Sequence, residues 1–208
     1  LLSSHDAGDI QATYEELNAD PAQPLLNRPL AMTLPPGSTF KLVTAAAALE
    51  SGNYVAESQL PGPTQINLPG TDVQLGNWND KSCGPDDITT LQAALEISCN
   101  TAFAWLGMEL GADAISEQAQ KFGFESEFEV PMTAAISRFP ADPNKPQTAM
   151  SAIGQFDVRA TALQMAMVAA GIANDGVVMN PYLISQVLGP DLTVLQSTTP
   201  SAFGRAMS

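Results

Sequence analysis

The chain has 208 residues, 45% of them hydrophobic and 14% charged, a composition that must bury apolar surface and argues against disorder. Twenty-two acidic against eight basic side chains leave a net charge of −14, which excludes nucleic acid and an anionic membrane surface as partners. No apolar run approaches the roughly 20 residues that cross a bilayer, and two cysteines with one histidine exclude a closed zinc site.

The spacing of Ile10, Tyr14 and Leu17 predicts a short helix over 9–18, ended by Pro21, Pro24 and Pro29. Pro35, Pro36 and Gly37 stop regular structure just before Ser38. From there a helix is predicted over 39–50, closed at Ser51-Gly52. Between Lys41 and Glu50 only Thr44 is polar, and a helix apolar on all sides belongs at the centre of a fold. Residues 53–86 are rich in proline and glycine, with short alternations at 65–68 and 72–75 that predict minor strands or hairpins. Helices follow over 89–96, 100–110 and 113–122, the last two stopped by Gly111 and Gly123. A loop carrying Pro131, Pro140, Pro143 and Pro146 leads to a strongly apolar helix over 161–174. Strand-like runs at 182–188 and 192–195, split by Gly189-Pro190-Asp191, make the fold class α+β.

Ser38-Thr39-Phe40-Lys41 is the sharpest chemical feature. Three residues apart in a first helical turn, the serine hydroxyl and the lysine amine share one face. The helix N-terminus favours negative charge developing at the serine, and apolar Phe40, Leu42 and Val43 should leave the lysine poorly solvated and able to act as a base. The bland alternative is a serine N-cap beside a solvated lysine. A second pair, Ser98 and Asn100, brackets Cys99 between two predicted helices. Side chains two apart can face one pocket while the residue between them points away. Helix capping is the alternative there. The similar Ser51-Gly52-Asn53 lies at the far end of the Ser38 helix, roughly 20 Å off, and reads as a C-cap. Cys83 and Cys99 are either one disulfide or two buried small hydrophobes. His5 in the N-terminal tail reads as a surface residue, Trp105 as core, and Arg28 and Arg159 as partners of surface carboxylates.

Taken in order, Pro35-Pro36-Gly37-Ser38-Thr39-Phe40-Lys41, Ser98-Cys99-Asn100-Thr101-Ala102-Phe103, Ala152-Ile153-Gly154-Gln155 and Ile172-Ala173-Asn174-Asp175-Gly176 resemble the penicillin-recognising serine transferases. The resemblance is closest to the class B penicillin-binding proteins, over about residues 20 to 185. It implies a penicillin-binding/β-lactamase-like transpeptidase fold: a central helix carrying the nucleophile, a helical subdomain and part of an antiparallel sheet. It implies a peptidoglycan D,D-transpeptidase acting on D-Ala-D-Ala stem peptides through an acyl-serine, without cofactor or metal, and acylated by β-lactams. Ser38 would be the nucleophile and Lys41 its base. Ser98 would relay protons, Asn100 would bind the substrate amide, and the Ser38 backbone N–H would form half of the oxyanion hole. The extracytoplasmic setting so implied favours a Cys83–Cys99 disulfide.

None of the four lysines (Lys41, Lys81, Lys121, Lys145) begins the Lys-Thr/Ser-Gly of the family's third motif. The 208 residues therefore read as part of a transpeptidase domain, a poor catalyst alone, with the N-terminal membrane anchor and the C-terminal portion outside this chain. Cell-wall synthesis or division proteins are the partners the family would bring. The alternatives are a D,D-carboxypeptidase, a serine β-lactamase, or a non-catalytic β-lactam sensor or scaffold. For a class A β-lactamase, no Glu-x-x-Leu-Asn follows Asn100.

Overall fold

The computed structural model describes residues 6–128, 130, 132 and 134–208. His5 and Pro131 lie outside the described residues. Helix α1 (Ala7–Ala19) is capped by Asp6, whose carboxylate accepts from the Gly8 and Asp9 amides, and α2 (Arg28–Ala31) carries proline in its first turn.

The centre is helix α3 (Lys41–Glu50), entered through a 3-10 turn over Gly37–Phe40. Its small residues let two apolar clusters close on it from opposite sides. Phe40, Val43 and Ala46 pack with Ile115, Phe122 and Val168. Ala45 and Ala48 pack with Leu60, Phe103 and Leu106. The lone hydroxyl of this stretch, Thr44, is buried and donates to the Ala152 carbonyl at 2.8 Å. The helix is central, as its all-round apolarity predicts.

Around it stand α4 (Leu91–Glu96), α5 (Asn100–Leu110), α6 (Ala112–Lys121), α7 (Lys145–Ser151) and α8 (Ala162–Ala173). Gly107 sets the approach of α5 to α7: a Cβ there would lie 2.3 Å from that of Ala152. The strands form four two-stranded antiparallel ribbons among the described residues. These are β1 (Gln59–Pro61) with β4 (Ile88–Thr90), β2 (Gln65–Asn67) with β3 (Gln74–Gly76), β5 (Val177–Met179) with β8 (Ala202–Arg205), and β6 (Gln186–Leu188) with β7 (Val194–Ser197).

Some boundaries differ from those predicted. The first helical turn at Ser38 is 3-10, which eclipses residues three apart and so sharpens the facing of Ser38 and Lys41. Residues 88–90 pair with β1, so the helix predicted from 89 begins at Leu91. Helix α7 stands where a proline-rich loop was expected. Pro146 occupies its first turn, where no amide is needed, and Asn144 and Gln147 close a reciprocal capping box. Strands β5 and β8 had no counterpart in the sequence reading, because each gains its hydrogen bonds only from the other, more than 20 residues away.

Candidate active site

Ser38 sits exposed in the 3-10 turn, and Lys41, the first residue of α3, is fully buried beneath it. The Lys41 Nζ lies 3.3 Å from Ser38 Oγ, 3.0 Å from Ser98 Oγ, 2.8 Å from the Ser98 carbonyl and 2.8 Å from Asn100 Oδ1. All four are uncharged oxygens, and the face of Phe103 lies 5.7 Å away. Burial, with no counter-ion among the described residues, lowers the lysine pKa from 10.5 to about 8. At pH 7 roughly one amine in ten is then neutral, against about one in three thousand for an ordinary lysine.

The Ser38 turn is held from below by the segment after α7. The Gly37 amide donates to the Gly154 carbonyl at 2.9 Å, with Gly154 at φ +72°. A Cβ on Gly154 would come within 2.1 Å of the Gly37 carbonyl oxygen, so only glycine fits between the two backbones.

Ser98 occupies the left-handed position that ends α4, at φ +58°. Its amide bonds the Leu95 carbonyl at 3.1 Å and the Cys99 amide bonds that of Ala94 at 2.8 Å, the paired bonds of a Schellman stop. Glycine is the usual residue there, and serine costs about 1 kcal/mol of backbone strain. The strained residue directs both its hydroxyl and its carbonyl at Lys41. Cys99 points the other way, buried and joined to Cys83 by a disulfide whose Cα atoms are 6.0 Å apart.

Asn100 opens α5. Its Nδ2 donates to the Gly76 carbonyl at 3.1 Å, which fixes the amide so that Oδ1 faces Lys41. Asn77, a residue the sequence reading passed over, is almost completely buried behind this helix start and accepts from the Asn100 and Thr101 amides. Its signal in the sequence is faint: position 99, before the helix, holds a cysteine, whose Sγ accepts from the Ala102 amide but is a weak acceptor.

The remaining singled-out residues stay away from Lys41. Trp105 packs partly buried against the second cluster. Arg159 approaches Asp157 at 3.8 Å on the surface, and Arg28 donates to the Ala22 carbonyl rather than to a carboxylate. Among the described residues no group of three or more His, Cys, Asp or Glu could hold a metal.

A buried central helix that presents a serine and a lysine one turn apart to a Ser-x-Asn turn is the arrangement of the penicillin-binding/β-lactamase-like fold. Known proteins resemble this chain over nearly its whole length. The profile described as "Penicillin binding protein transpeptidase domain" matches residues 2–205. The chain is 43% identical over 209 residues to the peptidoglycan D,D-transpeptidase PbpA of Mycolicibacterium smegmatis, with all of this chain and 42% of that protein covered. It superposes on penicillin-binding protein A of Mycobacterium tuberculosis, solved as a ceftriaxone acyl-enzyme, with a TM-score of 0.92 and 40% identity, covering all of this chain and 47% of that one. With the D,D-transpeptidase domain of an Eggerthella lenta peptidoglycan glycosyltransferase the TM-score is 0.84 at 32% identity, over 97% and 52% of the two chains. The chain therefore belongs to the penicillin-binding protein transpeptidase family, on its class B side, and spans less than half the length of its PbpA relatives.

Proposed function

We propose that these residues form the acylation half of a peptidoglycan D,D-transpeptidase, with Ser38 as nucleophile, Lys41 as its base, Ser98 as proton relay and Asn100 as substrate-amide ligand. The observation that carries the reading is the buried Lys41 amine, in contact with Ser38, Ser98 and Asn100 and with no carboxylate partner among the described residues.

Asn100 Oδ1 and the Ser98 carbonyl can only accept, so they take two N–H bonds of Lys41 in either charge state. The lone pair of the neutral amine is left to the two hydroxyls. It takes the Ser38 proton as Oγ attacks the carbonyl of the penultimate D-alanine. The oxyanion meets the Ser38 amide at the start of the turn, where helical bonding supplies no partner. When the C–N bond breaks, the proton passes from Lys41 through Ser98 Oγ, 3.0 Å away, to the departing D-alanine amine. The amine of a second stem peptide then attacks the acyl-serine and gives up its proton along the same route. A β-lactam opens on Ser38 by the first half of this sequence and stays attached.

The second half of the oxyanion hole and the carboxylate-binding side of the pocket belong to the Lys-Thr/Ser-Gly segment, which we place outside these 208 residues as the rest of one domain. No helix among the described residues is long and apolar enough to cross a membrane. An anchor elsewhere in the protein would hold this acidic domain on the extracytoplasmic face, where stem peptides are found.

Intact mass of the full-length protein after benzylpenicillin tests the proposal. A single stable adduct, absent from Ser38→Ala, is expected. No adduct on the full-length protein would overturn it in favour of a sensor or scaffold, and an adduct that turns over within seconds would favour a β-lactamase.

A further inference from the structure

Asn77 follows β3 in a loop that the chemistry above does not use, yet it is only 6% exposed. Its Oδ1 accepts from the amide of Asn100 at 2.9 Å and from that of Thr101 at 3.1 Å, the first two N–H groups of α5. Its Nδ2 donates to the carbonyls of Lys81 at 2.8 Å and Pro63 at 3.1 Å, and lies 3.3 Å from Thr101 Oγ1. Thr101 Oγ1 in turn donates to the Pro63 carbonyl at 2.8 Å. One amide thus satisfies both ends of its own polarity and joins two loops to the helix start. The only local cap is Cys99 Sγ, a weak acceptor, 3.4 Å from the Ala102 amide. Without Asn77, two amides at the α5 N-terminus would be left in a buried site. The residue before it reinforces the same point, because the Gly76 carbonyl sets the flip of the Asn100 amide.

The geometry points to Asn77 as a positioning residue for acylation: by capping α5 across the loop, it sets where Asn100 and Ser98 meet Lys41. The inference rests on the transpeptidase reading and names a residue outside the Ser38, Lys41, Ser98, Asn100 set. Asn77 touches no reacting atom. Its effect runs through the backbone of Asn100, and a shift of about 1 Å in such a scaffold costs on the order of 100-fold in rate.

The test is benzylpenicillin acylation of the full-length protein, with the rate constant within the complex separated from the dissociation constant of the complex that precedes it. For Asn77→Ala the rate constant should fall about 30- to 100-fold while the dissociation constant stays within about threefold. Asn77→Asp keeps the capping oxygen but turns a carboxylate oxygen, which cannot donate, toward the Lys81 and Pro63 carbonyls, so its rate constant should fall, though less than that of the alanine variant, while its dissociation constant again stays within about threefold; the same split decides the matter if the alanine variant does not fold. Gln118→Ala, which removes a buried bond to the Ala206 carbonyl and takes no part in the Lys41 hydrogen bonds, controls for lost stability and should acylate normally. A wild-type rate constant in Asn77→Ala, a loss confined to the dissociation constant, or an aspartate variant as slow as the alanine would overturn the inference. If instead the wild-type protein forms no adduct, or Ser38→Ala forms one, it is the transpeptidase reading that has failed.

Discussion

The burial of Lys41 makes a quantitative pH prediction. With its pKa at about 8 rather than 10.5, the neutral fraction of the amine rises about tenfold between pH 7 and pH 9.5 and then levels. An ordinary lysine would rise about 300-fold over that interval without a plateau. The pH profile of benzylpenicillin acylation therefore separates the two cases directly. Stability follows the same group with a determinate sign. The folded pKa lies below the unfolded one, so the unfolded state holds more protons between about pH 8 and 10.5, and stability increases as pH rises through that window. Integrated from pH 7 to pH 9.5, the gain is about 2 kcal/mol. Lys41→Met removes it, so the difference in unfolding free energy between wild type and this variant should change by that amount, read from denaturant melts at the two pH values. Acylation that keeps climbing tenfold per pH unit to pH 9.5, or a stability difference that does not move with pH, would refute the account of a desolvated lysine.

Three further outcomes follow from particular contacts. Gly154→Ala should lower the melting temperature by an amount equivalent to about 2–4 kcal/mol, since the new Cβ meets the Gly37 carbonyl at 2.1 Å in a left-handed conformation, and acylation should slow with it because Gly37 adjoins Ser38. Replacing Cys83 and Cys99 together by serine reopens a loop of 16 residues and should cost about 3 kcal/mol in a denaturation experiment. Ser151 buries a hydroxyl with no hydrogen-bond partner among the described residues, so Ser151→Ala should leave the protein as stable or about 1 kcal/mol more so; a loss beyond about 1 kcal/mol would show that the hydroxyl has a partner.

What could be read from the chain alone was local. The all-apolar stretch after Lys41 predicted a central helix, and glycine stops placed the ends of α5 and α6, because helix periodicity and termination depend on neighbours a few residues apart. The facing of Ser38 and Lys41 was legible for the same reason, being a matter of one turn. Proline at Pro146 misled, since the same residue breaks a helix in its interior and starts one at its first turn.

Tertiary structure decided the rest of the site. Ser98 and Asn100 meet Lys41 across 57 and 59 residues, and the meeting depends on Ser98 accepting a left-handed backbone that composition does not reveal. Whether Lys41 is solvated or dry is set by how α5 and its Phe103 close over α3, and with it the share of neutral amine at neutral pH. Asn77 is the furthest from view. In sequence it is one more polar residue in a glycine- and proline-rich loop. Only folding brings its amide against a helix start that has no strong cap of its own, and a hydrogen-bond partner so distant in sequence leaves no periodic trace.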